Sequence, residues 1–196
     1  MSSIAYYDAN ADDYFAGTVD ADVTGLRNRF FRHVEEGGRI LDAGCGSGRD
    51  AKAFQDAGYN VTAFDGSVRM AELAREYTGL EVLWLQFDQV EWRNRFDGIW
   101  CSASLLHVGR DQLLSVFDRL TKALKPGGVW YLSMKEGTET RVVDGRSFTD
   151  VTSSELRALL VHCGLGILEE WKSDDVRPGR SDRWVNIIAQ APRTNK

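Results

Sequence analysis

An apolar strand signal that leads directly into a glycine-rich turn constrains the fold of this chain more than any other feature. The run ends in Ile40 and Leu41, and glycines then stand at positions 44, 46 and 48. Glycine allows a tight turn and a close approach of the backbone to a ligand. We expect a helix to begin near Gly48, with its unpaired N–H groups facing a carboxylate or a phosphate above the turn. The segment therefore predicts a strand, a turn and a helix of an α/β sheet that line a ligand crevice.

An aspartate ends the next apolar segment. Asp65 follows the run Val-Thr-Ala-Phe at 61–64 and lies twenty-one residues after Gly44. A carboxylate at the end of the second strand can accept hydrogen bonds from both hydroxyls of a ribose. The predicted ligand is therefore a nucleoside, with Gly66 beside the carboxylate on the same wall.

The spacing of the glycines narrows the choice of nucleoside. A dinucleotide fingerprint needs G-x-G-x-x-G, but this chain has Arg49 or Ala51 where the third glycine would stand. A Walker loop is excluded because no Gly-Lys pair occurs in the chain. The motif present is D-x-G-x-G-x-G, which starts at Asp42.

Three further segments follow this motif in a regular order. Two apolar runs, residues 83–88 and 96–102, each end in a polar residue, and a Lys-Pro-Gly-Gly turn at 125–128 precedes another strand signal. Together with the glycine motif, these segments resemble the class I S-adenosylmethionine-dependent methyltransferases. The resemblance extends from about Tyr6 to Ile188.

The resemblance implies a single α/β domain with a Rossmann-like fold. Its mostly parallel, seven-stranded sheet would have the order 3-2-1-4-5-7-6, with strand 7 antiparallel and helices on both faces. Hydrophobic periodicity independently alternates between strand-like and helix-like segments, which is typical of an α/β sheet. We expect a lid segment at residues 1–22, a cofactor-binding core at 37–135, and substrate-side loops with a C-terminal hairpin at 136–196. Residues 144–148 and 184–186 resemble, more narrowly, small bacterial methyltransferases of the tellurite-resistance type.

The resemblance also assigns roles at the cofactor site. Asp42 and the glycine turn would hold the methionine part of S-adenosylmethionine, Asp65 the ribose, and Ser102 would lie near the sulfonium. Plain core packing is the alternative for Phe87 and Met70, which would border the adenine. The expected cofactor-binding residues are Asp42, Gly44, Gly46, Arg49, Asp65, Gly66, Met70, Phe87, Asp88 and Ser102.

Arg49 places a cation at the start of a helix, where its charge opposes the helix dipole. Two alternatives account for it. Its guanidinium either contacts a carboxylate of the cofactor or pairs with a nearby acid such as Asp50 or Asp42.

Methyl transfer from a sulfonium does not require a strong catalytic acid or base. A methyl group on a sulfonium is already activated, so the protein mainly positions the nucleophile and excludes water. His107 follows the fourth strand, whose carboxyl end faces the crevice, and is the candidate general base. The alternative is a packed histidine that is hydrogen bonded to the backbone. The histidines and cysteines have no metal-ligand spacing, so no metal site is expected.

The substrate residues are predicted from an aromatic N-terminal segment and from late arginines. In resembling enzymes a segment like that around Tyr14 folds over the cofactor, and packing against the sheet is the alternative. Arg146 and Arg180 would bind an anionic substrate if their loops reach the crevice. Interspersed acids such as Asp144 and Asp182 would otherwise neutralise them at the surface.

Composition limits the partners of the chain. Its 196 residues suit one domain, and a formal net charge of −5 argues against a nucleic-acid surface. No apolar stretch approaches the length of a membrane span, and the three cysteines lack redox spacing, so we expect a cytoplasmic protein without a membrane partner.

These observations predict methyl transfer from S-adenosylmethionine to a small molecule, with anionic molecules among the candidate acceptors. The oligomeric state is left open. The alternative functions are a catalytically silent nucleoside-binding regulatory module, a methyltransferase for protein side chains and, from a different class, a nicotinamide-dependent oxidoreductase.

Overall fold

One sheet organises the part of the chain that this computed structural model describes, which comprises residues 3–175, 179 and 181–193. The described strands are β1 (Arg39–Ala43), β2 (Asn60–Asp65), β3 (Val82–Trp84), β4 (Phe96–Cys101), β5 (Leu124–Lys135), β6 (Thr140–Val143), β7 (Arg146–Thr149), β8 (Gly166–Asp174) and β9 (Arg183–Gln190). Strands β6 and β7 form a separate hairpin, and the other seven form a sheet in the order β3-β2-β1-β4-β5-β9-β8. Only β9 is antiparallel to its neighbours β5 and β8. Without the hairpin, this is the expected order 3-2-1-4-5-7-6, so the predicted fold is confirmed.

The described helices include the one expected near Gly48, which begins at Arg49. They are α1 (Ser3–Ala9), α2 (Ala11–Thr18), α3 (Thr24–Phe31), α4 (Arg49–Asp56), α5 (Val68–Thr78), α6 (Leu113–Ala123) and α7 (Ser153–His162). The backbone N–H of Glu155 donates to Thr152 Oγ1 at 3.2 Å, which caps α7 as its Thr-x-x-Glu signal predicts. The Glu155 side chain instead binds Arg110, so only half of the capping box forms. No described helix is long and apolar enough to cross a membrane.

The core lies on both faces of the sheet because successive strand residues point in opposite directions. Trp130 packs with Phe117 on one face, with ring centroids 4.9 Å apart. The next residue, Tyr131, stacks on Trp100 on the other face at 4.0 Å. All four side chains are fully buried, and each contributes about 1.5–3 kcal/mol through removal of its apolar surface from water. This double-sided core holds the carboxyl ends of the central strands in fixed positions.

The third strand is shorter than the sequence predicted. The apolar run at 83–88 suggested a strand up to Asp88, but β3 ends at Trp84 and residues 87–89 form a 3-10 turn. The cause is a reciprocal pair of hydrogen bonds between the side chains of Gln86 and Gln89 and each other's backbone, which starts the turn. Phe87 and Asp88 therefore lie on the turn beyond the end of the strand.

The hairpin of β6 and β7 replaces the loop that was expected after β5. Its two-residue turn consists of Asp144 and Gly145, with φ of 52° and 80°. These values fit a type I′ turn, whose twist matches that of the flanking strands. An Asp-Gly pair between alternating residues is a strong hairpin signal, but here the pair contributed only to a family resemblance. The hairpin brings Arg146 close to the sheet's carboxyl edge.

Candidate active site

The turn between β1 and α4 is built so that only glycine fits at its first position. Gly44 has φ of +73°, in the left-handed region. A Cβ at this position would lie 2.6 Å from Ser104 Cβ and 3.3 Å from Phe87 Cζ. The N–H groups of Gly44 and Cys45 both donate to the carbonyl of Phe64 at 2.9 Å, which ties the turn to the end of β2. The turn therefore brings bare backbone into close contact with the space above the sheet.

Asp65 braces this turn from the neighbouring strand. Its Oδ2 accepts a hydrogen bond from the backbone N–H of Gly46 at 2.9 Å, and its Oδ1 accepts one from that of Ser67 at 2.9 Å. Burial raises the pKa of the Asp65 carboxyl, although the same two N–H donors oppose the shift. The glycine turn and the aspartate are thus two walls of one site.

A cavity of about 700 Å³ lies at this edge of the sheet. It brings together the expected cofactor-binding residues with the expected catalytic and substrate residues, apart from Arg180, which lies outside the described residues. The expected residues that line it are Asp42, Gly44, Gly46, Arg49, Asp65, Gly66, Met70, Phe87, Asp88, Ser102, His107, Tyr14 and Arg146.

Asp42 has the properties of a ligand-binding acid. It is 3% exposed, and its Oδ2 has no hydrogen-bond partner among the described residues. Burial, followed by the nearby charge of Asp50, raises the pKa of Asp42 well above its usual range. A buried polar atom without a partner is costly, so a cation that binds beside Asp42 would be stabilised. The ammonium of the methionine part of S-adenosylmethionine fits this requirement.

Arg49 follows the second of its two alternatives. Its Nε and Nη2 donate to the carboxylate of Asp50 at 3.2 and 2.7 Å, and Nη1 donates to the carbonyl of Thr18 at 3.4 Å. Arg27 also donates to Asp50 at 2.7 Å. Although burial acts to raise it, the pKa of Asp50 is lowered by these two guanidiniums. Asp50 therefore compensates the positive charge of Arg49 at the start of α4. A contact from Arg49 to the cofactor stays a prediction.

His107 is hydrogen bonded at both ring nitrogens. It lies in the 3-10 turn at 105–107 that follows β4. Its Nδ1 is 2.8 Å from the carbonyl oxygen of Ser147, and its Nε2 is 2.8 Å from the hydroxyl of Tyr7. Burial, with the positive charges of Arg146 and Lys135, lowers the pKa of His107 to about 4. The imidazole is therefore neutral at physiological pH.

We expect the His107 ring to titrate at about pH 4 in the folded protein. This pKa lies below the ordinary value of about 6.5, which His107 has in the unfolded state. Between about pH 4 and about pH 6.5 the unfolded state therefore binds more protons than the folded state, so the protein loses stability as the pH falls from about 6.5 to about 4. The measurement is an NMR titration of the imidazole Cε1–H signals.

The His107→Ala variant assigns the signal, since the other histidines, His33 and His162, remain. A midpoint near 6.5 for the signal that disappears in this variant would contradict the hydrogen-bonded, desolvated environment.

Three cations of the described residues surround Phe148 at the far side of the cavity. Lys135 Nζ lies 4.6 Å from the ring centroid, and the guanidinium carbons of Arg141 and Arg146 each lie 5.3 Å from it. Lys135 pairs with Asp182 at 2.7 Å, and Arg141 pairs with Asp150 at 2.6 Å. Acids therefore neutralise the charges of Lys135 and Arg141.

Arg146 is less well compensated. Its nearest acid, Asp144, is 3.6 Å away and its side chain is 71% exposed. The Arg146 side chain itself is only 12% exposed, and its Nε is buried without a hydrogen-bond partner among the described residues. Its guanidinium lies over the ring of Tyr6 at 4.5 Å. Arg146 is therefore the cation of this group that is best placed to bind an anion in the cavity.

The N-terminal helices form a wall of the cavity. Ser3, Tyr7 and Tyr14 line it, and Ser3 Oγ accepts a hydrogen bond from the backbone N–H of Ser147 at 2.9 Å. Asp8 accepts a hydrogen bond from the hydroxyl of Ser67 at 2.6 Å, next to α5. The segment thus lies where a lid would lie, while opening and closing stay predictions.

Tyr7 and Lys135 line the site but were not predicted from the sequence. The aromatic N-terminal segment was the available signal for Tyr7. For Lys135, the signal was its position at the carboxyl end of a predicted central strand, where ligands bind in α/β sheets.

Known proteins resemble the chain in the same region. Residues 40–128 match the family described as methyltransferase domain. The ubiquinone biosynthesis O-methyltransferase of Actinobacillus pleuropneumoniae is 31% identical over 108 residues, which are 50% of this chain and 45% of that protein. The enzyme of the same name from Xylella fastidiosa is 28% identical over 187 residues, which are 81% of this chain and 71% of that protein. The chain spans less than half the length of the first of these relatives.

A solved structure shares the fold over most of the chain. The 1,6-didemethyltoxoflavin-N1-methyltransferase of Burkholderia thailandensis, with bound 1,6-didemethyltoxoflavin and S-adenosylhomocysteine, has a TM-score of 0.77 and 21% identity. The match covers 96% of this chain and 87% of that one.

The sheet order gives the chain the Rossmann-like fold of methyltransferases, and residues 40–128, some of which line the cavity, match the methyltransferase-domain family. The residues that line the cavity fit S-adenosylmethionine, the cofactor predicted from the sequence. The glycine turn and the partnerless oxygen of Asp42 fit its methionine part, and the Asp65 carboxylate fits its ribose.

Proposed function

We propose that this chain transfers the methyl group of S-adenosylmethionine to a small-molecule acceptor that carries an anionic group. One observation supports this function above the others. A single cavity contains both the walls of a nucleoside site, Gly44 and Asp65, and a second region that contains Arg146, Tyr7 and His107. A binding module would need only the first region.

The residues on the cofactor side would bind and orient. When bound, S-adenosylmethionine supplies an activated methyl group. Asp42 and the glycine turn would hold the methionine part, Asp65 the ribose hydroxyls, and Asp88 the adenine amino group. Met70 and Phe87 would cover the adenine, and Ser102, directly after β4, would lie near the sulfonium. The accepting atom forms a bond to the methyl carbon as the carbon–sulfur bond breaks, and S-adenosylhomocysteine leaves.

His107 is the candidate proton acceptor for the acceptor molecule. Because the Tyr7 hydroxyl occupies its Nε2, a proton would reach the ring through Tyr7. A role for the ring in the transfer is supported by the position of His107 in the cavity that Ser102 also lines.

Arg146, with Tyr14 nearby in the wall, would select the acceptor. A guanidinium that is buried and poorly compensated favours a carboxylate or another oxyanion. The curated relatives named as ubiquinone biosynthesis O-methyltransferases support a small molecule as the acceptor. The net charge of −5 does not favour nucleic acid. We retain Arg180 as a substrate residue in this proposal.

The remaining proposals concern the chain as a whole. A single catalytic domain over 1–196 is supported by the one sheet to which seven of the described strands belong. A cytoplasmic location is supported by free thiols at Cys45, Cys101 and Cys163. The narrower resemblance to tellurite-resistance-type methyltransferases stays a prediction.

The proposed function is tested with purified protein, calorimetry and methyl-tritiated S-adenosylmethionine. We expect S-adenosylhomocysteine to bind and label to pass to a small metabolite of a cell extract that has been freed of macromolecules. His107→Ala should lower the rate of label transfer by about tenfold or more while changing S-adenosylhomocysteine affinity little, since a general base contributes about 10²–10⁴-fold.

Other outcomes would point to the alternatives. Binding without label transfer would favour a silent regulatory module, and label in the protein fraction of a whole extract would favour a protein methyltransferase. Stabilisation by NAD and not by S-adenosylhomocysteine would overturn the cofactor assignment.

A further inference from the structure

The direction of each hydrogen bond around His107 follows from chemistry alone. The carbonyl oxygen of Ser147 can only accept, so His107 Nδ1, at 2.8 Å from it, must carry a hydrogen. The low pKa of His107, about 4, keeps the ring singly protonated at neutral pH. Nε2 is then a bare lone pair, and the hydrogen bond at 2.8 Å must be donated by the Tyr7 hydroxyl.

Tyr7 consequently has no hydrogen left to donate to a ligand. Burial raises the pKa of Tyr7, so its phenol keeps its proton, and that proton is directed at His107. The phenolic oxygen accepts a side-chain hydrogen bond from Arg146, and its other lone pair can accept one from a ligand. Since Tyr7 lines the cavity, it offers an acceptor, and not a donor, to a molecule that binds beside it.

A carboxylate oxygen at this position would face the lone pairs of Tyr7 and would be repelled. A hydroxyl, amine or thiol would instead donate its hydrogen to Tyr7 and be oriented by it. Arg146 has the opposite character, because a guanidinium has donors and a positive charge but no acceptor. The two residues lie close together, since the charge of Arg146 acts on Tyr7 and the ring of the adjacent Tyr6 lies 4.5 Å from the guanidinium.

We propose that the methyl acceptor is a small molecule with two features: an O–H, N–H or S–H group that donates to Tyr7 and receives the methyl, and a separate anionic group that binds Arg146. Tyr7 is the residue that contacts the accepting atom, and His107 acts through Tyr7 by directing its hydroxyl. As the methyl carbon bonds to the accepting atom and its bond to sulfur breaks, the proton of that atom passes to the Tyr7 oxygen and the phenol proton passes to His107 Nε2. This inference rests on the proposed function and deepens it. It excludes methyl transfer to the anionic oxygen itself.

The labelled product distinguishes these possibilities. Transfer to a hydroxyl, amine or thiol gives an ether, an amine or a thioether, which mild alkali leaves intact. Transfer to a carboxylate gives a methyl ester, which alkali cleaves to volatile labelled methanol. We expect the tritiated product to be stable to alkali and to bind an anion exchanger above about pH 11, where amines are uncharged.

Volatile label after alkali, or a product that the exchanger does not retain, would overturn this inference and leave the proposed function standing. Absence of label from every product, although S-adenosylhomocysteine binds, would overturn the proposed function and this inference together.

A variant pair tests the role of Tyr7. Tyr7→Phe keeps the ring and removes the oxygen, whereas Tyr77→Phe is a matched control whose side chain is 41% exposed and does not line the cavity. We expect Tyr7→Phe to lower kcat/KM by about tenfold or more, as expected for a lost hydrogen bond of about 1.5 kcal/mol or more, with S-adenosylhomocysteine affinity unchanged. Tyr77→Phe should leave both unchanged.

A double-mutant cycle separates positioning from structural support. If His107 acts only through Tyr7, His107→Ala should add little to the loss of kcat/KM in a Tyr7→Phe background. Additive losses, or full activity of Tyr7→Phe, would overturn the assignment.

Discussion

Gly44→Ala is expected to lower the free energy of unfolding by about 2–5 kcal/mol and to abolish measurable binding of S-adenosylhomocysteine. Two effects add up at this position. The left-handed φ of +73° is strained for any residue with a Cβ, and that Cβ would lie 2.6 Å from Ser104 Cβ. Neither neighbour can easily give way, because Ser104 Oγ is held by the carbonyl of Ala43 at 2.8 Å and the Phe87 ring packs on Phe64. Urea unfolding and calorimetry measure the two losses.

Gly79→Ala is the matched control for this variant. Gly79 has nearly the same φ, +71°, but no described atom beyond its immediate chain neighbours would lie within 4 Å of an alanine Cβ at this position. The free energy of unfolding of Gly79→Ala should therefore fall by only about 1 kcal/mol, the cost of the backbone conformation. This control should bind S-adenosylhomocysteine as the wild-type protein does. Equal losses of stability in the two variants would contradict the steric account of the turn.

Asp65→Ala is expected to weaken S-adenosylhomocysteine binding by about 10- to 100-fold, because hydrogen bonds to a charged group contribute about 1.5–3 kcal/mol. Asp65→Ala should lower the free energy of unfolding by less than Gly44→Ala does. The variant leaves the N–H groups of Gly46 and Ser67 without their partner, but it also removes a carboxylate whose raised pKa shows that burial of its charge is unfavourable. Calorimetry gives the affinity, and thermal unfolding shows whether the fold is retained.

A second ligand separates ribose recognition from support of the turn. S-adenosylhomocysteine that lacks the ribose 2′-hydroxyl should bind to the wild-type protein more weakly than the parent compound does. To the Asp65→Ala variant, the two compounds should bind with equal affinity. An equal loss in both proteins would mean that Asp65 only braces the glycine turn and does not hold the ribose.

The cofactor half of the site could be predicted because its determinants are local in the sequence. Asp42 and Asp65 lie in the last two residues of their strands and the glycines follow the first strand, and parallel strands bring their carboxyl ends to one edge of a sheet. The end of β3 was misjudged because the Gln86 and Gln89 side chains turn the chain earlier than its apolar pattern suggests. The hairpin turn, in contrast, has a local signal in the sequence, the Asp144-Gly145 pair.

The choice between alternatives at the site depended on contacts that no local pattern contains. Several acids near Arg49 in the sequence could have been its ion-pair partner, and in the structure that partner is Asp50. The packing of α3 against α4 also brings Arg27 to Asp50, so this carboxylate binds two guanidiniums. His107 could have been a free base or a packed ring. Tyr7, one hundred residues away in the chain, decides the matter by its hydrogen bond to Nε2.

The amino-acid sequence by itself determined the alternation of strands and helices and the positions of the glycine turn and the strand-end acids, since these are short-range properties of the chain, and the order of the sheet followed from the family resemblance that these motifs carry. Only the tertiary structure decided the acceptor side. There, the N-terminal helix, the turn after β4 and the β6–β7 hairpin meet, and the polarity of the Tyr7, His107 and Arg146 group depends on which donor faces which acceptor once these distant segments are packed together.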